Sequence, residues 1–200
     1  MLKYLVFVGV FVQLIGIYSY GREVVRGNTK PNRVSWLMWS IAPLIATAAG
    51  LASGVGLAVV PVFMSGFGPL IIFILSFTNK KSYWKLEKFD YLCGLFSLLA
   101  LIFWGITKQP AIAIIFAILS DFIAAIPTLV KSWRYPDTET TAPYTTGLIN
   151  ALTSFGAIKM WGFAELAFPI YLIFIDSSLA LAIIRKKVKF LNFRGGQKIN

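Results

Sequence analysis

Apolar residues run along this chain in long blocks, and polar residues collect in the short gaps between them. Seven blocks stand out, at 3–20, 34–52, 57–77, 91–107, 111–131, 143–159 and 162–184. Each is close to the ~20 residues that carry a helix across about 30 Å of hydrocarbon. Lipid offers the backbone no hydrogen bonds, so spanning blocks of this kind are helices. The fourth and sixth blocks are the shortest, and the sixth is rich in Thr, Ser and Asn. The first block follows Lys3 as in a secretory leader. It ends in Tyr18-Ser19-Tyr20-Gly21-Arg22 without a small-residue cleavage pattern, so it reads as a retained first helix.

Composition agrees: 58% of the 200 residues are hydrophobic and only 14% are charged, against roughly 45–50% apolar in soluble domains. The formal charge of +11 would suit a nucleic-acid binder, but the basic residues sit at block ends, where topology accounts for them. Arg22, Arg26, Lys30 and Arg33 follow the first block, Lys80, Lys81, Lys85 and Lys88 the third, and Lys131 and Arg134 the fifth. Arg185, Lys186, Lys187, Lys189, Arg194 and Lys198 follow the seventh. Lys3, Lys108 and Lys159 fall in the alternate gaps. The positive-inside rule then places the N-terminus outside and the C-terminus inside a bacterial-type cytoplasmic membrane. Lys80-Lys81 and Arg185-Lys186-Lys187 are expected to touch anionic lipid headgroups.

The chain has no histidine and one cysteine, Cys93. That excludes an intramolecular disulfide, His-based catalysis and His/Cys metal sites. No nucleophile–base pair or phosphate loop is visible, so neither an enzyme nor a cofactor is expected.

A shift of 108 residues lays the chain on itself. It pairs Gln13 with Asp121, Arg26 with Arg134, Trp36 with Tyr144, Ile41 with Ile149, Gly54 with Gly162 and Pro61 with Pro169. Blocks one to three fall on blocks five to seven, and block four is left over. Two such copies with an odd helix between them lie parallel, about an axis along the membrane normal. The expected fold is an all-α membrane bundle of seven transmembrane helices. It has a first three-helix repeat (1–78), a linker loop and helix (79–109), a second repeat (110–185) and a basic tail (186–200).

This 3+1+3 layout resembles the SWEET and PQ-loop superfamily of small-solute transporters. The resemblance rests on Pro127-Thr128-Leu129-Val130-Lys131-Ser132-Trp133-Arg134, then Asp137-Thr138-Glu139 and Pro143. Pro127, Lys131, Trp133 and Thr138 match the family pattern, and Thr128 stands where its Gln would be. The first copy carries the loop half, with Gly27-Asn28-Thr29-Lys30-Pro31, but Ser19-Tyr20 at the Pro-Gln position. The resemblance implies a hinge at Pro127 and a mid-membrane aromatic and Asn on the solute. Trp39 and Asn150 are residues of that type.

Ionisable residues inside spanning helices mark ion and substrate paths. Asp121 lies about 15 Å along the fifth block at 1.5 Å per residue, near mid-membrane. It reads either as the carrier of a coupling proton or substrate cation, or as a hydrogen-bonded structural acid. Its repeat mate Gln13 is polar and neutral. Glu165 and Asp176 are spaced to share one helix face through Pro169 and Leu172. They extend the path, with an interfacial role beside Lys159 as the alternative for Glu165. Trp36, Trp84, Trp104, Trp133 and Trp161 are expected at the membrane interface. Pro43, Pro61, Pro69 and Pro169 are expected to kink or break their helices, the third above all. Ala46 to Ala52 in the second block suggests close helix packing. The expected function is transport of a small polar solute by alternating access, coupled to protons through Asp121 with Asp176 assisting. An uncoupled sugar facilitator and a non-transporting receptor or accessory subunit are the alternatives, and a homo-oligomer stays open.

Overall fold

The computed structural model describes residues 2–52, 54–107, 110–159 and 161–195. Lys108 and Lys198 lie outside the described residues, as do the side chains of Ala49, Ala52, Trp104 and 186–195. Every regular element among the described residues is helical. The α-helices are α1 (Leu5–Arg26), α2 (Arg33–Ala52), α3 (Val59–Leu75), α4 (Lys88–Thr107), α5 (Pro110–Arg134), α6 (Ala142–Ser154) and α7 (Phe163–Gly195). Single 3-10 turns add Leu2–Tyr4, Lys80–Ser82, Pro136–Thr138 and Phe155–Ala157.

The helices begin and end for local reasons. Gly27 terminates α1 in the left-handed region (φ 83°), where a side chain would be strained. Asn32 starts α2, its Oδ1 accepting the backbone N–H groups of Val34 and Ser35 at 3.1 and 3.3 Å. The sixth block yields only 13 helical residues before tightening into a 3-10 turn. Its Thr145, Thr146 and Thr153 hydroxyls donate to carbonyls three and four residues back, a competition that weakens a helix ladder. The prolines break nothing: α2, α3, α5 and α7 run through Pro43, Pro69, Pro127 and Pro169. Pro61 sits in the first turn of α3, where its missing N–H costs least.

Leu2–Arg26, Ile114–Arg134 and Glu165–Arg185 are long and apolar enough to cross a membrane, and Val59–Leu75 is a shorter apolar helix. Their outward faces are apolar too: Phe7, Val8, Phe11, Ile15 and Tyr18 on α1, and Ile170, Phe174 and Leu181 on α7, are exposed. Exposed apolar area of that extent suits lipid and not water. The protein is an α-helical membrane protein.

α1 packs against α3 and α6, α5 against α7 and α2, α2 against α3, and α6 against α7. Moving each first-half partner by 108 residues turns one contact into another: α1 with α3 becomes α5 with α7, and α1 with α6 becomes α5 with α2. α4 lies mainly on α5. Cross-links fix helix direction. The Asn79 side chain donates to the Val25 carbonyl at 2.7 Å, and the Arg185 guanidinium to the Trp133 carbonyl. Asn32 donates to Asp90 at 2.7 Å. The C-terminal ends of α1, α3 and α5 and the Arg185 level of α7 therefore meet at one face, where α2 and α4 begin. That face carries the basic loops.

The α1–α6 seam depends on Gly9 and Gly16. A Cβ on Gly16 would lie 2.8 Å from the Ala142 carbonyl oxygen and against the Thr146 side chain. Backbone cannot yield as a flexible side-chain end can, so Gly16→Leu forces the helices apart. Overpacking of this kind costs about 1–3 kcal/mol. Thermal unfolding of the detergent-solubilised variant should therefore fall by several degrees. An unchanged transition would mean that the seam is loose.

Candidate transport cavity

A cavity of about 60 Å³ opens where the two halves of the chain face each other. Gln13 and Asp121, Trp36 and Tyr144, and Trp39 and Gly147 all line it. Each pair is separated by 108 residues, so positions that the offset matches in sequence meet at one cavity. Asp176 and Ser65 complete its polar lining. At roughly 15 Å³ per water, the volume admits about four waters, or a small ion.

Asp121 is buried midway along α5. One carboxylate oxygen accepts the Tyr171 hydroxyl of α7 at 2.6 Å, and the Trp39 indole N–H donates to the Asp121 backbone carbonyl at 3.2 Å. Asp121 thus joins α5 to both α7 and α2. The Gln13 side-chain oxygen is buried and accepts no hydrogen bond, a costly arrangement in a dry interior unless the cavity supplies a partner. Asp176 reaches in from α7 because α6 has no side chain in its way. A Cβ on Gly147 would lie 2.5 Å from its Oδ2. Among the described residues no lysine or arginine lines the cavity. The two carboxyl groups therefore face one space with no countercharge among the described residues that line it.

Toward the basic face the cavity is closed by aromatic rings. Trp36 packs 5.4 Å from Trp39, 6.5 Å from Tyr144 and 4.8 Å from Tyr20, between ring centroids. Beneath them lies a buried ion pair. Lys131 of α5 meets Glu139 at 2.6 Å, and also donates to the Lys30 carbonyl. The Tyr20 hydroxyl donates to the second Glu139 oxygen at 2.7 Å, and the Lys131 ammonium sits 4.8 Å from the Trp84 ring. The cluster ties α1, α5 and the loops after each of them into one layer.

The sequence-predicted residues divide into three groups. Gln13, Asp121, Asp176 and Trp39 meet at the cavity. Asn150 does not line it; its amide donates to the Pro61 carbonyl at 3.2 Å, one turn of α6 past Gly147, and holds α6 to α3. Glu165 also stays away: it accepts the Lys159 backbone N–H at 2.8 Å and fastens the loop before α7, the alternative weighed for it. Pro127 is buried in α5 between Asp121 and Lys131, leaving the Ile123 carbonyl without its helical donor. Among the tryptophans, Trp133 and Trp161 are exposed, but Trp36 is 2% exposed and belongs to the plug, not to the interface.

Tyr171 was not singled out from sequence; Tyr144 was paired with Trp36 by the offset of 108 but not placed at the site, and Lys131 and Glu139 were read as loop residues and not as an ion pair. No spacing signals the other contacts. Comparison with protein-family models, with curated proteins and with solved structures gave no match.

Proposed function

We propose that the protein carries a small polar solute across the membrane by alternating access, coupled to protons through Asp121 with Asp176 assisting. The observation that carries this reading is the cavity between the two halves, with Asp121, Asp176 and the unpartnered Gln13 oxygen turned toward one space. In this reading the seven helices are two parallel three-helix repeats joined by α4. The basic face is cytoplasmic and the N-terminus is outside. The aromatic layer and the Lys131–Glu139 pair are the cytoplasmic gate. Pro127, with one helical hydrogen bond already missing, lets α5 bend between the site and the gate.

The test is solute uptake by proteoliposomes with a pH-sensitive dye trapped inside. Sugars, amino acids and organic cations are added outside in turn. One of them should acidify the lumen, and Asp121→Asn should abolish the signal. Equilibration of a radiolabelled solute with no proton signal would replace coupled transport by facilitation. Silence in both assays from folded protein would leave a receptor or accessory subunit.

A further inference from the structure

At the basic face, away from the cavity, α5 and α7 together line a groove of about 900 Å³. That volume falls within the range of ligand sites, about 300–1,000 Å³. Its apolar lining includes Leu129, Val130, Leu181 and Ile184, and Arg134 and Arg185 stand at its end. α5 ends at Arg134, and the apolar run of α7 gives way to charge at Arg185, so both guanidinium groups lie at the level where hydrocarbon gives way to headgroups. Trp133, 55% exposed, lies at the same level, as interfacial tryptophans do.

Charge completes the pattern. Among the described residues neither arginine has a carboxylate partner. Among the described residues no hydrogen bond or ion pair occupies the Arg134 guanidinium. Arg185 is held in place: its guanidinium stacks on the Trp133 ring, 3.2 Å from the centroid, and donates to the Trp133 carbonyl. A guanidinium has five N–H donors in a fixed fork, so Arg185 keeps donors to spare. The chain continues as Lys186-Lys187-Val188-Lys189, adding positive charge to the same end. Two guanidiniums, that of Arg185 held on Trp133 and that of Arg134 beside it, with no carboxylate partner among the described residues, stand above an apolar cleft and match an acyl chain below and a phosphate above.

We propose that this groove binds one anionic phospholipid, its acyl chain between α5 and α7 and its headgroup phosphate on Arg134 and Arg185. A free phosphate would have no use for the apolar walls, and a zwitterionic lipid would leave the positive charge uncompensated. The site does not depend on the transport reading, because it shares no residue with the cavity.

Native mass spectrometry of the detergent-solubilised chain gives the test, with dioleoylphosphatidylglycerol, dioleoylphosphatidylcholine and inorganic phosphate as probes. One phosphatidylglycerol should be retained in preference to phosphatidylcholine. Arg134→Gln, which removes no packing, should weaken phosphatidylglycerol binding about fivefold, the equivalent of about 1 kcal/mol per basic residue at an anionic surface, and leave phosphatidylcholine unchanged. Ser178→Phe should weaken the lipid by filling the cleft while both arginines remain. Lys80→Gln, a basic change outside the groove, should have no effect. Equal retention of the two lipids would overturn the proposal. So would indifference to Arg134→Gln, or displacement of the lipid by equimolar inorganic phosphate, which would make the site one for a free anion.

Discussion

Glu139→Ala is expected to lose about 3–5 kcal/mol of stability, the usual cost of removing one partner of a buried ion pair. The Lys131 and Glu139 side chains are 2% and 0% exposed, so the ammonium left behind would keep the Lys30 carbonyl, the Trp84 face and the more distant Asp90 charge, but no direct carboxylate partner. Tyr20 would lose its acceptor in the same step. Lys131→Met with Glu139→Leu should recover most of the loss, because a buried pair replaced by packed apolar groups is often neutral or better. Urea unfolding in detergent separates the cases. A single variant as stable as the parent would mean that water reaches the pair and that this end is open. If the pair is also a gate, the double variant should be stable yet transport more slowly, since the halves would lose the contact that registers their closure.

Gly147→Ala is expected to cut solute uptake roughly five- to a hundredfold, with a smaller fall in the unfolding transition than Gly16→Leu, because the clash is with the movable end of the Asp176 side chain and not with backbone. The added methyl would sit 2.5 Å from an oxygen of Asp176, well inside van der Waals contact, so the carboxylate must leave its present position. Overpacking strain of about 1–3 kcal/mol, set against RT of about 0.6 kcal/mol, gives that range for the depopulated arrangement. Uptake rates in proteoliposomes, normalised to folded protein, provide the measurement. Unchanged uptake would remove Asp176 from the path and leave Asp121 to act alone.

The helices were legible in the sequence because lipid leaves one solution to an apolar block of some 20 residues. Among the described residues seven α-helices fall on the seven blocks, and three of them are long and apolar enough to cross a membrane. The cavity was half legible. Asp121 and Asp176 announce themselves as acids in apolar surroundings, and the offset of 108 supplies Gln13. Asn150 shows the limit. A buried Asn in mid-helix looks the same in sequence whether it faces a solute or, as here, bonds the Pro61 carbonyl across a helix seam. Lys131 and Glu139 show another. Each lies at a block end, where a charge is normally solvated, and only the folding of both loops across the same face buries them together. The α5–α7 groove shows a third. Its arginines were visible as topology signals, but their lack of carboxylate partners is a property of packing alone.

Alternating access requires that the one cavity be reached from both sides of the membrane. Ser65 lines it and is only partly buried. With Cys93→Ser removing the lone native thiol, Ser65→Cys gives a single reporter. A membrane-impermeant thiol reagent is applied to right-side-out and inside-out vesicles separately. Alternating access predicts labelling from each side, with solute shifting the balance between them. Labelling confined to one side, whatever solute is present, would contradict it.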